Sequence, residues 1–249
     1  MPKKKVMTVF GTRPEAIKMA PVVQALKSSD QLSTVVAVTA QHREMLDQVL
    51  DIFGIIPDYD LNIMQEAQSL SEIITRTLIG LEEPLEKEKP DLILVHGDTA
   101  TTFAGALSGF YRHIQVGHVE AGLRTHDKYS PYPEEMNRCL TGCLSDMHFA
   151  PLGAQRDNLL LEGTPCESIH VTGNTVIDAL LGIASIPHEF TCPDLASIDY
   201  ANRRVLLVTA HRRENLGEPL RRICRALKTL VETRPDVEVV WPVHMNPAV

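Results

Sequence analysis

The chain has 249 residues, 44% of them hydrophobic and 22% charged, which fits one or two globular domains and excludes an intrinsically disordered segment. Its formal net charge of −8 argues against a nucleic-acid partner, because such partners require a basic surface. The sequence has no apolar run long enough to span a bilayer, and no signal-peptide cleavage pattern follows its basic N-terminus. We therefore expect no membrane partner and a cytoplasmic location.

The first predicted strand is the apolar run at residues 6–10, which GTRPEA at 11–16 joins to a helix. Free N–H groups at a helix start attract anions, and Arg13 and Lys18 add positive charge there, so this turn is a candidate phosphate or diphosphate site. The motif is neither G-x-G-x-x-G nor a P-loop, so it indicates neither a dinucleotide nor a Walker-type nucleotide. The alternative is that both cations are solvated charges on the first turn.

The second predicted strand, 34–39, is followed by Gln41, His42 and Glu44, which either contact a ligand or cap the next helix. A single long helix is predicted over 69–88. The alternation of short apolar strands with helices of ten or more residues predicts βαβ units and a parallel sheet.

Two acidic residues follow the next two predicted strands. Asp98 comes after strand 92–95, and Glu120 comes after strand 114–119. Ligands of open α/β sheets bind outside the carboxyl ends of the strands, so both side chains are expected in one crevice. Acids that share a crevice suit proton transfer, because like charges and partial burial separate their pKa values. The alternative is that Asp98 caps the helix predicted over 99–111.

Two more acids, Glu134 and Glu135, lie in the first turn of a helix predicted to begin at Pro133. Either they complete the acid cluster, or they only interact favourably with the positive end of the helix dipole. The predicted buried stripe of this helix is formed by Met136, Leu140 and Leu144.

The five cysteines are odd in number and scattered, which does not indicate a disulfide framework. Cys139 and Cys143 lie four residues apart on this helix, but no second pair of metal ligands follows them. They are therefore predicted to be small core residues, and no metal site is expected.

A proline-containing segment, 185–202, is predicted to connect an N-terminal Rossmann-like domain, 1–184, to a second domain, 203–249. Only two strands, 204–209 and 237–241, are predicted in the second domain. A doubly wound nucleotide-binding domain has five or six strands, so the second domain is expected to be incomplete in this chain.

The first strand of the second domain is followed by His211, Arg212 and Arg213. Guanidinium groups make bidentate contacts with phosphate oxygens, so this group is a candidate anion clamp. A purely structural histidine is the alternative.

Seven segments together resemble the non-hydrolysing UDP-N-acetylglucosamine 2-epimerases: GTRPEAIKMAP at 11–21, TAQHREMLDQV at 39–49, HGDTATTFAGAL at 96–107, HVEAGLRT at 118–125, SPYPEEMNR at 130–138, TGNTVIDAL at 172–180 and TAHRREN at 209–215. The resemblance implies an α/β fold of two Rossmann-like domains of the glycosyltransferase-B type, with substrate between them. It implies interconversion of UDP-GlcNAc and UDP-ManNAc without a metal or another cofactor, supply of ManNAc to cell-surface polysaccharides, and a homodimer at full length.

The resemblance also implies roles for individual residues. The catalytic residues of the family match Asp98, Glu120, Glu134 and His211. Its residues near the UDP diphosphate match Arg13 and Lys18. A second, regulatory UDP-GlcNAc site of bacterial members matches the region of Gln41, His42, Glu44, Arg212 and His244.

The reaction that the resemblance implies is an elimination of UDP through a 2-acetamidoglucal, followed by re-addition. Two alternatives remain. One is a hydrolysing epimerase that releases ManNAc and UDP. The other is an inactive, truncated domain that only binds a nucleotide sugar.

Overall fold

The computed structural model describes residues 3–40, 43–65, 68–210 and 216–243. The chain divides into two compact units, Met1–Ser185 and Ile186–Val249. Within the described ranges, no helix combines the length and the apolar character that a membrane span requires.

The first unit is built on a seven-stranded sheet in which every described strand pair is parallel. Its strand order is β3-β2-β1-β4-β5-β6-β7. The strands are β1 (Lys4–Phe10), β2 (Leu32–Val38), β3 (Tyr59–Asp60), β4 (Leu92–His96), β5 (Gln115–Val119), β6 (Met147–Ala150) and β7 (Ile169–Val171). The order reverses between β1 and β4, which is where an open sheet of this kind places its ligand crevice. The predicted parallel sheet is confirmed.

Helices connect these strands. They are α1 (Arg13–Lys27), α2 (Arg43–Ile52), α3 (Leu70–Gly80), α4 (Glu82–Glu88), α5 (Ala100–Tyr111), α6 (Glu134–Leu144), α7 (Gly153–Leu161) and α8 (Thr175–Ala184), with a 3₁₀ turn at Cys166–Ser168.

The core lies on both faces of the sheet, because successive side chains of a strand point in opposite directions. Val6 and Phe10 of β1 belong to the cluster that α1 and α2 cover. Met7 and Val9, which alternate with them, belong to the cluster that α4 and α5 cover. Continuous apolar strands are therefore explained by burial on both faces.

The single long helix predicted over 69–88 is wrong, because α3 and α4 are separate helices that meet at Leu81. Pro84 lies in the first turn of α4. Proline has no backbone N–H to donate to the preceding turn, so it costs less in the first turn of a new helix than in the interior of a continuous one.

The predicted apolar stripe of α6 is also wrong for two of its three members. Met136 and Leu140 are 39% and 41% exposed, whereas Leu144 packs against the core. The residues of α6 that are buried are mostly polar: Glu135, Asn137, Arg138 and Thr141. Pro133 is the N-cap of α6 and not its first residue.

The two cysteines of α6 are not the core residues that were predicted. Cys139 is half-buried and Cys143 is exposed. The buried face of α6 carries the polar contacts described below, and the two cysteines are not among its buried residues.

The second unit contains β8 (Arg204–Leu207) and β9 (Val237–Val240), which pair in parallel with Arg204 opposite Val237. Its helices are α9 (Pro193–Ala196) and α10 (Glu218–Thr233). The two strands that the sequence predicts here are confirmed. The roles predicted for the two domains remain predictions.

Candidate functional site

Glu120 lies immediately after β5, in the left-handed region of backbone conformation with φ of +62°. Its carboxylate is held by Lys18 of α1, whose Nζ lies 2.7 Å from Oε1 and 2.5 Å from Oε2. Asn174, the N-cap of α8, donates from Nδ2 to Oε2 at 3.3 Å. A side chain of α1 and the N-cap of α8 therefore converge on the carboxyl end of β5.

Asp98 lies after β4, the strand next to β5. Arg138 of α6 donates from Nη2 to Asp98 Oδ2 at 2.5 Å, and Asn137 Nδ2 donates to the Asp98 carbonyl oxygen at 2.9 Å. Burial raises the pKa of Asp98, and the nearby charge of Glu120 adds to the rise although Arg138 and Lys18 oppose it. Asp98 and Glu120 therefore lie close enough for their charges to interact, at the ends of neighbouring strands where the sequence predicted them to meet.

Glu135, which the sequence grouped with the acids without assigning it a role, is the buried acid of α6. Its Oε1 accepts hydrogen bonds from the backbone N–H groups of Thr125 and His126, each at 2.9 Å, and its Oε2 lies 3.3 Å from Arg138 Nη1. Burial alone would raise the pKa of Glu135, but these N–H donors and Arg138 outweigh it and lower the pKa. Glu135 thus connects the 122–133 loop to the arginine that holds Asp98.

Glu134, the acid of α6 that the family resemblance assigned to catalysis, is half-buried at the first helical residue. Within the described ranges its side chain makes no hydrogen bond or ion pair. Sequence spacing does not separate the two acids, because Glu134 and Glu135 stand at i,i+4 and i,i+3 from Arg138 and both spacings allow an ion pair.

Glu15 is a buried acid near the candidate site that the sequence analysis missed. It is 2% exposed, and its Oε2 accepts from the backbone N–H groups of Gly11 at 3.1 Å and Thr12 at 2.8 Å. Its Oε1 accepts from the hydroxyls of Thr99 at 2.8 Å and Thr102 at 3.0 Å. Burial raises the pKa of Glu15, although these hydrogen bonds oppose the rise. Thr12 and Glu15 form a capping box, a spacing that is visible in the sequence.

The segment before α1 lies so close to the end of β2 and the start of α5 that Gly11 has no room for a side chain. A Cβ at this position would lie 1.8 Å from Thr39 Oγ1 and 2.9 Å from Thr101 Oγ1. The glycine therefore fixes where α1, and with it Lys18, enters the site.

Arg13 is exposed at the first residue of α1. It makes no hydrogen bond or ion pair with other residues in the described part of the chain. The start of α1 therefore presents one cation that is already paired, Lys18, and one that is open to a ligand.

Two buried histidines lie beside the two carboxylates. His118 is 1% exposed, and its Nε2 lies 2.7 Å from the Gly97 carbonyl oxygen. His96 is 3% exposed, and its Nε2 lies 3.8 Å from Glu120 Oε2. Burial lowers the pKa of each to about 3, so both rings are neutral at pH 7.

Several predicted site residues lie outside the described residues: Gln41, His42, His211, Arg212, Arg213 and His244. The backbone of Glu44 is described within α2, but its side chain is not. The roles predicted for these residues stay predictions.

The described site places a candidate proton-transfer group near a candidate anion-binding helix. It combines a carboxyl group whose pKa is raised, Asp98, with a carboxylate whose cationic partner, Lys18, can also face an anion at the start of α1. Within the described residues, no group of three or more His, Cys, Asp or Glu side chains is arranged to hold a metal ion.

Comparison with known proteins identifies a family. A family model described as UDP-N-acetylglucosamine 2-epimerase matches residues 24–249. A Bacillus subtilis protein named UDP-N-acetylglucosamine 2-epimerase is 56% identical over 249 residues, which cover 100% of this chain and 64% of that protein.

Solved structures give the same result. The Neisseria meningitidis UDP-GlcNAc 2-epimerase bound to UDP-GlcNAc is 51% identical with a TM-score of 0.83, and the match covers 98% of this chain and 67% of that one. A Staphylococcus aureus co-structure with UDP is 50% identical with a TM-score of 0.80, covering 98% and 64%. These matches confirm the predicted fold class, Rossmann-like domains of the glycosyltransferase-B type. The chain spans about 65% of the length of the curated relatives it matches.

Proposed function

Because the chain belongs to the UDP-N-acetylglucosamine 2-epimerase family, we propose that it serves the reversible, non-hydrolysing interconversion of UDP-GlcNAc and UDP-ManNAc. The observation that carries the proposal is the placement of Asp98 and Glu120 side by side at the carboxyl ends of β4 and β5, with Lys18 between Glu120 and the start of α1. The names of the relatives and the UDP-GlcNAc bound to the Neisseria meningitidis protein support the same substrate.

The proposed reaction inverts C2 of the sugar by elimination and re-addition. A base removes the C2 proton, the C2–H electron pair forms the C1=C2 bond, and UDP leaves with the electron pair of the C1–O bond. The 2-acetamidoglucal then accepts a proton on the opposite face of C2 while UDP adds back to C1. The reaction therefore requires two proton-transfer groups and stabilisation of the departing diphosphate.

The chain supplies candidates for each requirement. Asp98, Glu120 and Glu134 are the proton-transfer groups, and the carboxylate of Glu134 makes no contact with other described residues that would compete with a ligand. Arg13 and Lys18 stabilise the diphosphate, together with His211, which lies outside the described residues.

Isotope incorporation tests this reaction. The chain is incubated with UDP-GlcNAc in D₂O beside a version extended with the part of the Bacillus subtilis relative that the chain does not match. In an active protein we expect the product UDP-ManNAc to carry deuterium at C2 of the sugar. Free ManNAc and UDP would show the hydrolysing reaction instead, and complete retention of hydrogen at C2 would contradict elimination. Turnover by the extended version alone would show that the chain is an inactive part of an active enzyme.

Further parts of the proposal rest on the family resemblance. They are a homodimer of the full-length protein, a cytoplasmic role in supplying ManNAc for surface polysaccharides, and a regulatory UDP-GlcNAc site that involves Gln41, His42, Glu44, Arg212 and His244. Sigmoidal initial rates with UDP-ManNAc that become hyperbolic on adding UDP-GlcNAc would support the regulatory site. Hyperbolic rates under both conditions would contradict it.

A further inference from the structure

His96 is a buried polar side chain without a partner, next to a carboxylate of the site. It is 3% exposed, and neither Nδ1 nor Nε2 has a hydrogen-bond partner among the described residues. A charged neighbour across the site is Glu120, with His96 Nε2 3.8 Å from Glu120 Oε2. Buried polar atoms are usually hydrogen-bonded, so two ring nitrogens without partners beside a carboxylate make His96 a candidate partner of that carboxylate.

The distance between His96 and Glu120 is small enough to close by a side-chain movement. An N–H to oxygen hydrogen bond is about 2.9 Å long, so the two groups need to approach by about 1 Å. A carboxylate only accepts hydrogen bonds, so the neutral imidazole would have to carry its proton on Nε2 to donate to Glu120.

Lys18 fixes the Glu120 carboxylate from a different side than His96. Its ammonium contacts both carboxylate oxygens of Glu120, so it fixes the carboxylate from the α1 side. The same ammonium lies in the second turn of a helix whose start, with Arg13, is the proposed anion site. A diphosphate at that start would compete with Glu120 for Lys18.

We propose that His96 is a positioning residue for Glu120, and that its Nε2–H becomes the hydrogen-bond donor to the carboxylate when an anionic ligand draws Lys18 away. This inference rests on the proposed function for the identity of the ligand, a nucleoside diphosphate. A neutral donor holds the carboxylate in place without cancelling its charge as an ammonium does, so Glu120 stays able to accept a proton.

The other charged and titratable groups around this pair are few in the described residues. Lys18 faces both groups from α1, Asp98 acts on Glu120 from the end of β4, and His118 of β5 lies close enough to His96 for their charges to interact. Burial and the charge of Lys18 lower the pKa of His96 to about 3, so the ring is a neutral donor throughout the physiological pH range.

The first test observes His96 directly by nitrogen NMR of the labelled imidazole, with UDP as the probe. We expect the proton on Nε2, and a downfield change of its signal when UDP is added or when Lys18→Met removes the ammonium. His96 is assigned from the signal lost in His96→Gln. An Nδ1–H tautomer, or an Nε2 signal that responds to neither change, would overturn the proposal.

The second test compares kinetics of His96→Gln, which keeps an amide N–H near the Nε2 position, with those of His96→Leu, which has no donor. We expect His96→Gln to keep kcat within about 3-fold and His96→Leu to lose about 10-fold in kcat with little change in KM. The acid limb of the kcat–pH profile should move to higher pH in His96→Leu only, because loss of a donor disfavours the charged carboxylate.

The matched control is His148→Gln, since His148 is 2% exposed on β6 and forms no described contact with Glu120. It should lower stability without moving the pH profile. Equal losses in His96→Gln and His96→Leu with an unmoved profile would assign His96 a structural role and overturn the proposal. Absence of turnover by every form would contradict the proposed function, whereas the NMR test would still decide the contact between His96 and Glu120.

Discussion

The two carboxylates of the site follow adjacent parallel strands, yet they are held in different ways. Asp98 is held by Arg138, which is itself held by Glu135. Glu120 is held by Lys18, a flexible side chain for which no second ion-pair partner is found among the described residues. A guanidinium fixed between two acids stays in place, whereas an ammonium with one partner can exchange it for an anion. One acid is therefore fixed by the fold, and we propose that the other, held by a single ammonium, is open to control by a ligand.

The largest expected effect comes from removing either carboxylate. Asp98→Asn and Glu120→Gln should each lower kcat by at least about 100-fold in the extended protein, a typical value for a general acid or base. The amides keep the side-chain volume, so both proteins should stay folded, with a lower melting temperature because Arg138 or Lys18 loses its charged partner. Turnover is measured by NMR of the anomeric protons.

The control for both carboxylate variants is Asp157→Asn, an exposed acid on α7. It should keep normal turnover. Near-normal kcat in Asp98→Asn would show that the fixed acid has only a structural role.

The second expected effect is a loss of stability in acid caused by the buried histidines beside the two carboxylates. His96 and His118 have folded-state pKa values lowered to about 3, against 6.5 in the unfolded chain. The unfolded state therefore binds more protons below pH 6.5, so stability is full above that pH and falls below it. The expected slope is up to about 1.4 kcal/mol per pH unit for each ring.

Urea unfolding between pH 7 and pH 4.5 checks this dependence. His118→Gln should remove the contribution of one imidazole ring from the slope of the unfolding free energy against pH. The substitution His188→Gln, at an exposed position, should leave that slope unchanged. An unchanged slope in His118→Gln would mean that this ring takes up its proton in the folded state.

The third effect separates the two neighbouring acids of α6. Glu135→Gln should lower the free energy of unfolding by about 1–3 kcal/mol, because two buried N–H donors and Arg138 lose a charged partner. Since the pKa of Glu135 is held below 4.5, its contribution is present above that pH and is lost as the pH falls through the lower folded-state value. The difference in the free energy of unfolding between Glu135→Gln and the wild type should therefore become smaller at acidic pH.

Glu134→Gln is the matched variant for that experiment. It should change stability by no more than about 0.5 kcal/mol, because Glu134 makes no described contact. It should lower kcat if the family role applies. Destabilisation by Glu134→Gln equal to that by Glu135→Gln would contradict the distinction between the two acids.

The smallest expected effect comes from Arg138→Lys, which keeps the charge but not the planar fork. One ammonium cannot reproduce the contacts of Nη1 with Glu135 and Nη2 with Asp98, so kcat should fall about 10-fold with the protein folded. Kinetics at saturating UDP-GlcNAc with a melting curve would measure this. An unchanged kcat would show that Asp98 does not depend on the bridge.

Much of the fold was predictable from the sequence, because its local patterns are strong. The apolar runs of β1, β4 and β5 are short and continuous, and amphipathic helices separate them, which predicts strands buried in a parallel sheet. The positions of Asp98 and Glu120 followed from this, since the carboxyl ends of parallel strands meet at one edge of a sheet.

The sequence by itself thus determined the parallel sheet, the edge at which the acids gather, and the family. Only the tertiary structure decided their partners, because Arg138 lies 40 residues from Asp98, and Lys18 lies 102 residues from Glu120. It also decided which face of α6 is buried, leaving Met136 and Leu140 exposed so that Glu135 and Arg138 could be covered. Helical periodicity assumes that apolar groups are buried first, and it fails where buried charges satisfy one another across distant segments.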